Sequence, residues 1–186
     1  AQADDAACAG VKRSMSVILR TDRLCLRPFE PGDLEAVWEY AGDQDIRYMI
    51  FFPHGSLEET ASFIEAARME VQKEKPQYYE FAMILKDQLI GAVTLWMETD
   101  GSAEIGWILN KRYCGHGYVT EASQALFEFA VKELGVSSVF ACCDVRNVAS
   151  VRVMENLGME FHREQERLYE RTGETAREYK YIWRKA

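Results

Sequence analysis

Apolar and polar side chains alternate over Ser16–Arg20 and again over Arg23–Pro28, where Leu24, Leu26 and Pro28 share one face and Arg23, Cys25 and Arg27 the other. A repeat of two is the mark of a half-buried strand. The spacing then becomes helical: Leu34, Val37 and Trp38 make an apolar stripe over Pro31–Gly42, opened by Pro31 and Asp33 and closed by Gly42. Ser56 and Glu59 stand three apart as a capping box. They predict a helix to about Lys73 with Leu57, Ala61, Ile64, Ala67 and Val71 on one side, and Pro76 closes that segment.

Two strands are predicted next, Tyr78–Leu85 and Leu89–Met97, joined by a hairpin turn at Lys86, Asp87 and Gln88. A turn at Thr99, Asp100 and Gly101 leads to a third, Ala103–Leu109, so the three read as an antiparallel meander. After a glycine-containing turn, Ala122, Ala125, Leu126, Phe129 and Ala130 line one side of a helix over Thr120–Leu134 that ends at Gly135. Val136–Val145 is apolar on both faces, as expected of a strand covered on both sides. Ala103–Val145 is thus a strand, a crossover helix and a parallel strand. A short helix, Val148–Leu157, and two strands, Met159–Arg167 and Arg177–Arg184, complete the chain. The expected fold class is α/β (α+β): a mixed, mostly antiparallel central sheet with helices on both faces and one parallel βαβ crossover.

Composition narrows this. With 186 residues, 48% hydrophobic and 12% aromatic, the chain can fill one core and is expected to be one domain. Met15 reads as a natural initiator, residues 1–14 as a leader or disordered tail, and 15–186 as the domain. The net charge of −8 comes with no basic stripe, which argues against a nucleic-acid partner. An acidic field can favour cationic substrates such as amines, although charge alone also serves solubility. The five cysteines lack a regular spacing and are read as reduced thiols, and no stretch is long and apolar enough for a membrane span. A cytoplasmic protein is expected. His54, His116 and His162 have no partners at ligand spacing, so no metal is expected.

The segment Arg112-Tyr113-Cys114-Gly115-His116-Gly117-Tyr118-Val119-Thr120 follows a strand and opens a helix. Glycines let such a backbone approach a ligand closely, and the free amides of a helix N-terminus bind phosphate oxygens. A Rossmann fingerprint would need a third glycine where Thr120 stands, and a Walker A loop would need Gly-Lys-Ser/Thr, which the chain lacks. The spacing Arg112-x-x-Gly115-x-Gly117 instead resembles the R/Q-x-x-G-x-G/A signature of the GCN5-related N-acetyltransferase superfamily. The order of elements fits that family over about residues 16–184. Within it the chain is similar to the RimJ/RimL type of ribosomal-protein N-terminal acetyltransferase. The residues that carry this are Leu19-x-Thr21-x-Arg23-Leu24-x-Leu26-Arg27, Glu104-Ile105-Gly106-Trp107, Gly117-Tyr118-x-Thr120-Glu121-Ala122 and Asn147-x-x-Ser150.

The resemblance implies acetyl-CoA as co-substrate, its pyrophosphate held by backbone amides across Gly115, His116, Gly117, Tyr118, Val119 and Thr120. Arg112, the first residue of that motif, is expected to bind the cofactor with them. The pantetheine arm would pair with the strand at Ile108 and Leu109, where a backbone amide would also supply the oxyanion donor. Asn147 would hydrogen-bond the same arm, or cap the helix at Val148, or both. Glu104 is the candidate base, acting on the amine through a water; its bland alternative is a solvent-facing strand residue. General-base help is worth about 10²–10⁴-fold. Many relatives place a proton-donating tyrosine seven residues after the motif asparagine, but that position is Met154 here. Ser150, three after Asn147, matches the donor proposed in the subgroup; otherwise it is a buried helix hydroxyl. The apolar 43–55 connection, with Tyr48, Phe51 and Phe52, is a candidate lining for the acceptor pocket. The favoured acceptor is a protein N-terminal α-amine. A small amine (polyamine, amino acid or antibiotic) and a non-catalytic acyl-CoA-binding module stay open, and the resemblance allows a homodimer.

Overall fold

A computed structural model of the chain describes residues 17–43, 53–169 and 173–185. Eight strands form one sheet: β1 Leu19–Arg20, β2 Leu24–Pro28, β3 Tyr78–Leu85, β4 Gln88–Met97, β5 Ser102–Leu109, β6 Ser138–Asp144, β7 Glu160–Tyr169 and β8 Glu174–Arg184. Their spatial order is β1-β2-β3-β4-β5-β6-β8-β7, and every neighbouring pair is antiparallel except β5 and β6. The helices are α1 Leu34–Ala41, α2 Leu57–Glu70, α3 Tyr118–Lys132 and α4 Val148–Asn156.

The elements form for local reasons that the sequence carries. Lys86 and Asp87 both take positive φ (46° and 66°), the two-residue turn that matches the twist of a hairpin, so Gln88 already belongs to β4. Ser56 caps α2 by accepting from the Glu59 amide at 3.2 Å, while the Glu59 carboxylate returns to the amide of Gly55 at 2.7 Å. The predicted box therefore closes one residue earlier than its usual form. Before α1, Pro31–Asp33 is a 3-10 turn, anchored where Arg27 makes two hydrogen bonds to Asp33 at 2.8 and 2.9 Å.

Alternation along the strands separates two packed layers. On the back face, Phe81, Met83, Val93, Leu95, Ile105 and Val139 meet Leu126 of α3 and Met154 of α4. On the front face, Ala82 and Ala92 meet Val37 and Tyr40 of α1 and Ile64 and Ala67 of α2. Each large aliphatic side chain so buried contributes about 1.5–3 kcal/mol.

Two sequence expectations are corrected. α3 begins at Tyr118 rather than Thr120, because Gly117 takes a left-handed conformation (φ 78°) as its N-cap. β6 is not covered on both faces. Val139, Ala141 and Cys143 are buried at the back, while Ser138, Phe140 and Cys142 are half-buried on a front face that, among the described residues, carries no helix, since α1 and α2 pack over β3 and β4. Aromatic and sulfur side chains there gave the same apolar signal as a core strand.

Candidate active site

Beyond β5 the chain must bend. Asn110 is buried, and its side chain accepts from the Arg112 amide at 3.1 Å, opening one 3-10 turn over Lys111–Tyr113. Gly115 and Gly117 then take φ of 83° and 78°, a region that other L-residues rarely adopt. Glu121 is the first residue of α3 whose amide finds a backbone carbonyl, that of Gly117 at 3.1 Å. The amides of Tyr118, Val119 and Thr120 therefore lie at the open, positive end of the helix, where an anion is stabilised. A side chain at Gly115 would meet no atom within 4 Å, so the turn is bare on that side. These are the properties a pyrophosphate needs.

Three of the turn's side chains, those of Arg112, His116 and Tyr118, are engaged within the protein. The ring of His116 stacks on Tyr118 at 5.6 Å, and its Nδ1 lies 3.3 Å from the Tyr113 carbonyl. The exposed guanidinium of Arg112 pairs with Glu39 of α1 at 2.6 Å.

Next to the turn the sheet comes apart. The parallel pairing of β5 with β6 consists of Ser102↔Ser138, Ala103↔Val139 and Glu104↔Phe140 and goes no further. β5 continues to Leu109 along β4, and β6 continues to Asp144 along β8. Ile105–Leu109 thus presents an edge with no strand neighbour on the β6 side, ending where the glycine turn begins. Unpaired backbone donors and acceptors on an edge are a template for an extended, amide-bearing ligand. Ile108 and Leu109 both lie on this edge.

Glu104 and Ser150 flank the opening from opposite faces. Glu104 points forward, with Gly106 and Ile108. It is mostly enclosed; burial raises its pKa, and the charge of Arg167 on β7 works against that rise. Arg167 Nη2 stands 3.5 Å from Glu104 Oε1, and its Nε stands 2.9 Å from Oε2 of Glu178, which is entirely buried. Cys142, on the same face, is pushed to about 12 by burial and then by Glu104, so it is an inert thiol. Above Gly106 a side chain would find open space. Across from Glu104, Trp96 stacks on Tyr78 at 4.3 Å.

On the back face, Trp107 donates from Nε1 to Ser150 Oγ at 3.2 Å, linking β5 to α4 over the opening. A hydroxyl that accepts this bond keeps its own proton available. The side-chain oxygen of Asn147 accepts from the Ser150 amide at 3.1 Å, which is the capping role, and leaves its amide nitrogen as a donor. Met154 is fully buried in the back core.

The structure therefore brings Glu104, Ile108, Leu109, Ser150, Asn147 and the Gly115–Thr120 amides to one opening, while the Arg112 side chain turns towards α1. Tyr48, Phe51 and Phe52 lie outside the described residues. Sequence reasoning missed Trp107 as the partner of Ser150 and Arg167 as that of Glu104. Tryptophan is usually read as core, and an arginine 63 positions from Glu104 gives no local signal. Among the described residues no three of His, Cys, Asp and Glu group as metal ligands would.

The sequence and the fold are similar to those of known proteins. A family model described as "Acetyltransferase (GNAT) domain" matches residues 23–160. The chain is 37% identical to the uncharacterized N-acetyltransferase YnaD of Bacillus subtilis (strain 168), over 76% of this chain and 81% of that one. A GNAT-family acetyltransferase from Bacillus anthracis superposes with a TM-score of 0.78 at 29% identity, covering 90% of this chain and 98% of its own. RimL, a ribosomal L7/L12 alpha-N-protein acetyltransferase solved in complex with coenzyme A, superposes with a TM-score of 0.79 at 18% identity, covering 90% and 98%.

Proposed function

Because the chain belongs to the GNAT acetyltransferase family, and is an N-acetyltransferase that draws on acetyl-CoA, we propose that its acceptor is the α-amine of a protein N-terminus and that Glu104 and Ser150 carry the proton transfers. The observation that carries this reading is the opening between β5 and β6, with a carboxylate on one face and a hydroxyl on the other. RimL, whose fold the chain shares, acts on a ribosomal-protein α-amine.

Acetyl-CoA supplies the acyl group as an activated thioester. The amides of Gly115–Thr120 hold its pyrophosphate, and the edge at Ile108 and Leu109 pairs with its amide-bearing arm, with Asn147 adding a donor from α4. An amide on that edge stabilises the charge that develops on the acyl oxygen. Glu104 takes up, through a water, the proton that the ammonium must lose before its nitrogen can form the new amide bond. A carboxylate raised by burial is better matched to an α-amine, whose pKa is about 7.7–8.0, than to a lysine at about 10.4. As the carbon–sulfur bond breaks, Ser150 gives its proton to the sulfur and regains one from the acylated nitrogen, which sheds its second proton to become the amide; the bond from Trp107 holds the serine oxygen meanwhile. The front of the sheet beside Glu104 leads into a cavity of about 520 Å³, lined among others by Glu98, Asp100, Ser102, Phe140 and Lys180, which gives an extended polypeptide room to lie.

Calorimetric titration with acetyl-CoA, with NAD and ATP as controls, followed by thiol release on N-terminal peptides and on polyamines, tests this. Micromolar binding of acetyl-CoA alone, about −8 kcal/mol, and faster turnover of peptides are expected. A higher kcat/KM for polyamines would overturn the acceptor assignment.

A further inference from the structure

The glycine turn does not stand alone. The β1–β2 connection, far away in sequence, is bolted to it. Thr21 Oγ1 donates to Glu121 Oε1 at 2.5 Å, the Arg23 amide donates to the same oxygen at 2.9 Å, and Arg23 Nε donates to Glu121 Oε2 at 2.6 Å. Nη1 of Arg23 then reaches the carbonyl of His116 at 3.0 Å, between the two left-handed glycines. Its guanidinium lies over the ring of Tyr118 at 4.5 Å, and its Nη2 would stand 3.7 Å from a side chain at Gly117. One arginine thus grips the first turn of α3, the middle of the glycine turn and the first helical side chain.

Glu121 sits in the first turn of α3, beside the amides that would face phosphate. An uncompensated carboxylate there would repel the ligand. Burial works to raise its pKa, but the hydrogen bonds from Thr21 and Arg23 outweigh it and hold the carboxyl below its usual range. The pair therefore fixes the backbone and cancels an unfavourable charge together. It also gives a physical reason for Thr21-x-Arg23 and Glu121 occurring together in one chain.

From this geometry we infer that Thr21, Arg23 and Glu121 are positioning residues for acetyl-CoA, a clamp that presets the phosphate-binding turn without contributing a side chain to the ligand. The inference rests on the assignment of that turn to the cofactor's pyrophosphate. A turn held in its binding conformation loses less entropy when the ligand arrives. Breaking the clamp therefore weakens acetyl-CoA binding and leaves the chemical step, set by Glu104 and Ser150, nearly unchanged.

The test is titration of the whole chain and its Arg23→Gln, Glu121→Ala and double variants with acetyl-CoA, with melting temperatures measured alongside. Each single variant is expected to bind about tenfold more weakly, and the double variant no more weakly than the worse single one, because both break one unit. Thr21→Val removes a single hydroxyl and keeps the experiment informative if the larger changes unfold the protein; Thr21→Ser restores the bond and is expected to restore the affinity. With an acceptor present, KM for acetyl-CoA rises while kcat holds. Binding indifferent to all these changes overturns the clamp alone. Additive losses in the double variant would mean that Arg23 meets the phosphates itself, and overturn the clamp too. An unaltered chain that does not bind acetyl-CoA overturns both the clamp and the assignment of the turn.

Discussion

Replacing Arg167 with methionine is expected to damage stability first and catalysis second. Glu178 has 0% side-chain exposure, and among the described ion pairs Arg167 is the cation that reaches it, at 2.9 Å. The neighbouring Lys180 is committed to the ring of Phe140, 3.5 Å from its centroid. Removing one partner of a buried ion pair costs about 3–5 kcal/mol, because the other charge stays buried without compensation. For a chain of this length each kcal/mol moves the melting temperature by roughly 2–4 °C, so Arg167→Met is expected to melt about 6–20 °C lower in scanning calorimetry. The double variant Arg167→Met/Glu178→Leu removes both charges and is expected to recover most of that loss. In that refolded background Glu104 has lost the cation that opposes its burial, and the stronger of its two altered neighbours was the arginine. Its pKa then rises, and since the base proposed for Glu104 acts only when ionised, the acid limb of the pH–rate profile is expected to move to higher pH. A melting temperature for Arg167→Met within about 2 °C of the parent would correspond to less than about 1 kcal/mol. It would refute the view that Arg167 compensates Glu178.

Glu80 lies buried beneath α1, hydrogen-bonded by Thr94 at 2.7 Å, and burial pushes its pKa up to about 8 from an ordinary 4.5. A raised folded-state pKa means stability is fully present below about 4.5 and lost as pH climbs towards 8, at about 1.4 kcal/mol per unit. Urea unfolding at about pH 5 and about pH 8 should show that loss, up to about 4 kcal/mol, and Glu80→Gln should flatten it; equal pH slopes would count against the buried acid. Ser150→Ala is expected to lower kcat by about 10²-fold while leaving acetyl-CoA affinity within a few-fold. Adding Met154→Tyr to Ser150→Ala is expected to restore nothing and to destabilise by about 1–3 kcal/mol, because position 154 is packed into the back core; recovered turnover would show that a phenol there reaches the opening. Gly117→Ala forces a side chain into a left-handed residue and is expected to cost about 1–2 kcal/mol and weaken acetyl-CoA binding, read by melting temperature and titration.

The order of elements and the position of the glycine turn were legible in the sequence, because local rules write them there. Alternation marks β2 through β5, Ser56 marks the start of α2, and Gly115 and Gly117 mark a backbone that must go left-handed before a helix. The parallel crossover followed from the length between Leu109 and Ser138, which an antiparallel hairpin does not need.

What the tertiary structure decided was everything that depends on who stands next to whom. β6 looked like a strand covered on both sides, yet among the described residues no helix lies on its half-buried front, because helix placement is not encoded in the strand itself. No pattern says that β5 and β6 part after Glu104, each continuing along its other neighbour instead. Arg167, 63 residues from Glu104, and Arg23, 98 from Glu121, meet their partners only once the sheet has formed. Local periodicity thus determined the elements and the backbone of the glycine turn. The charges that tune the carboxylate and the clamp that holds the turn came from long-range contacts, which no short window of sequence contains.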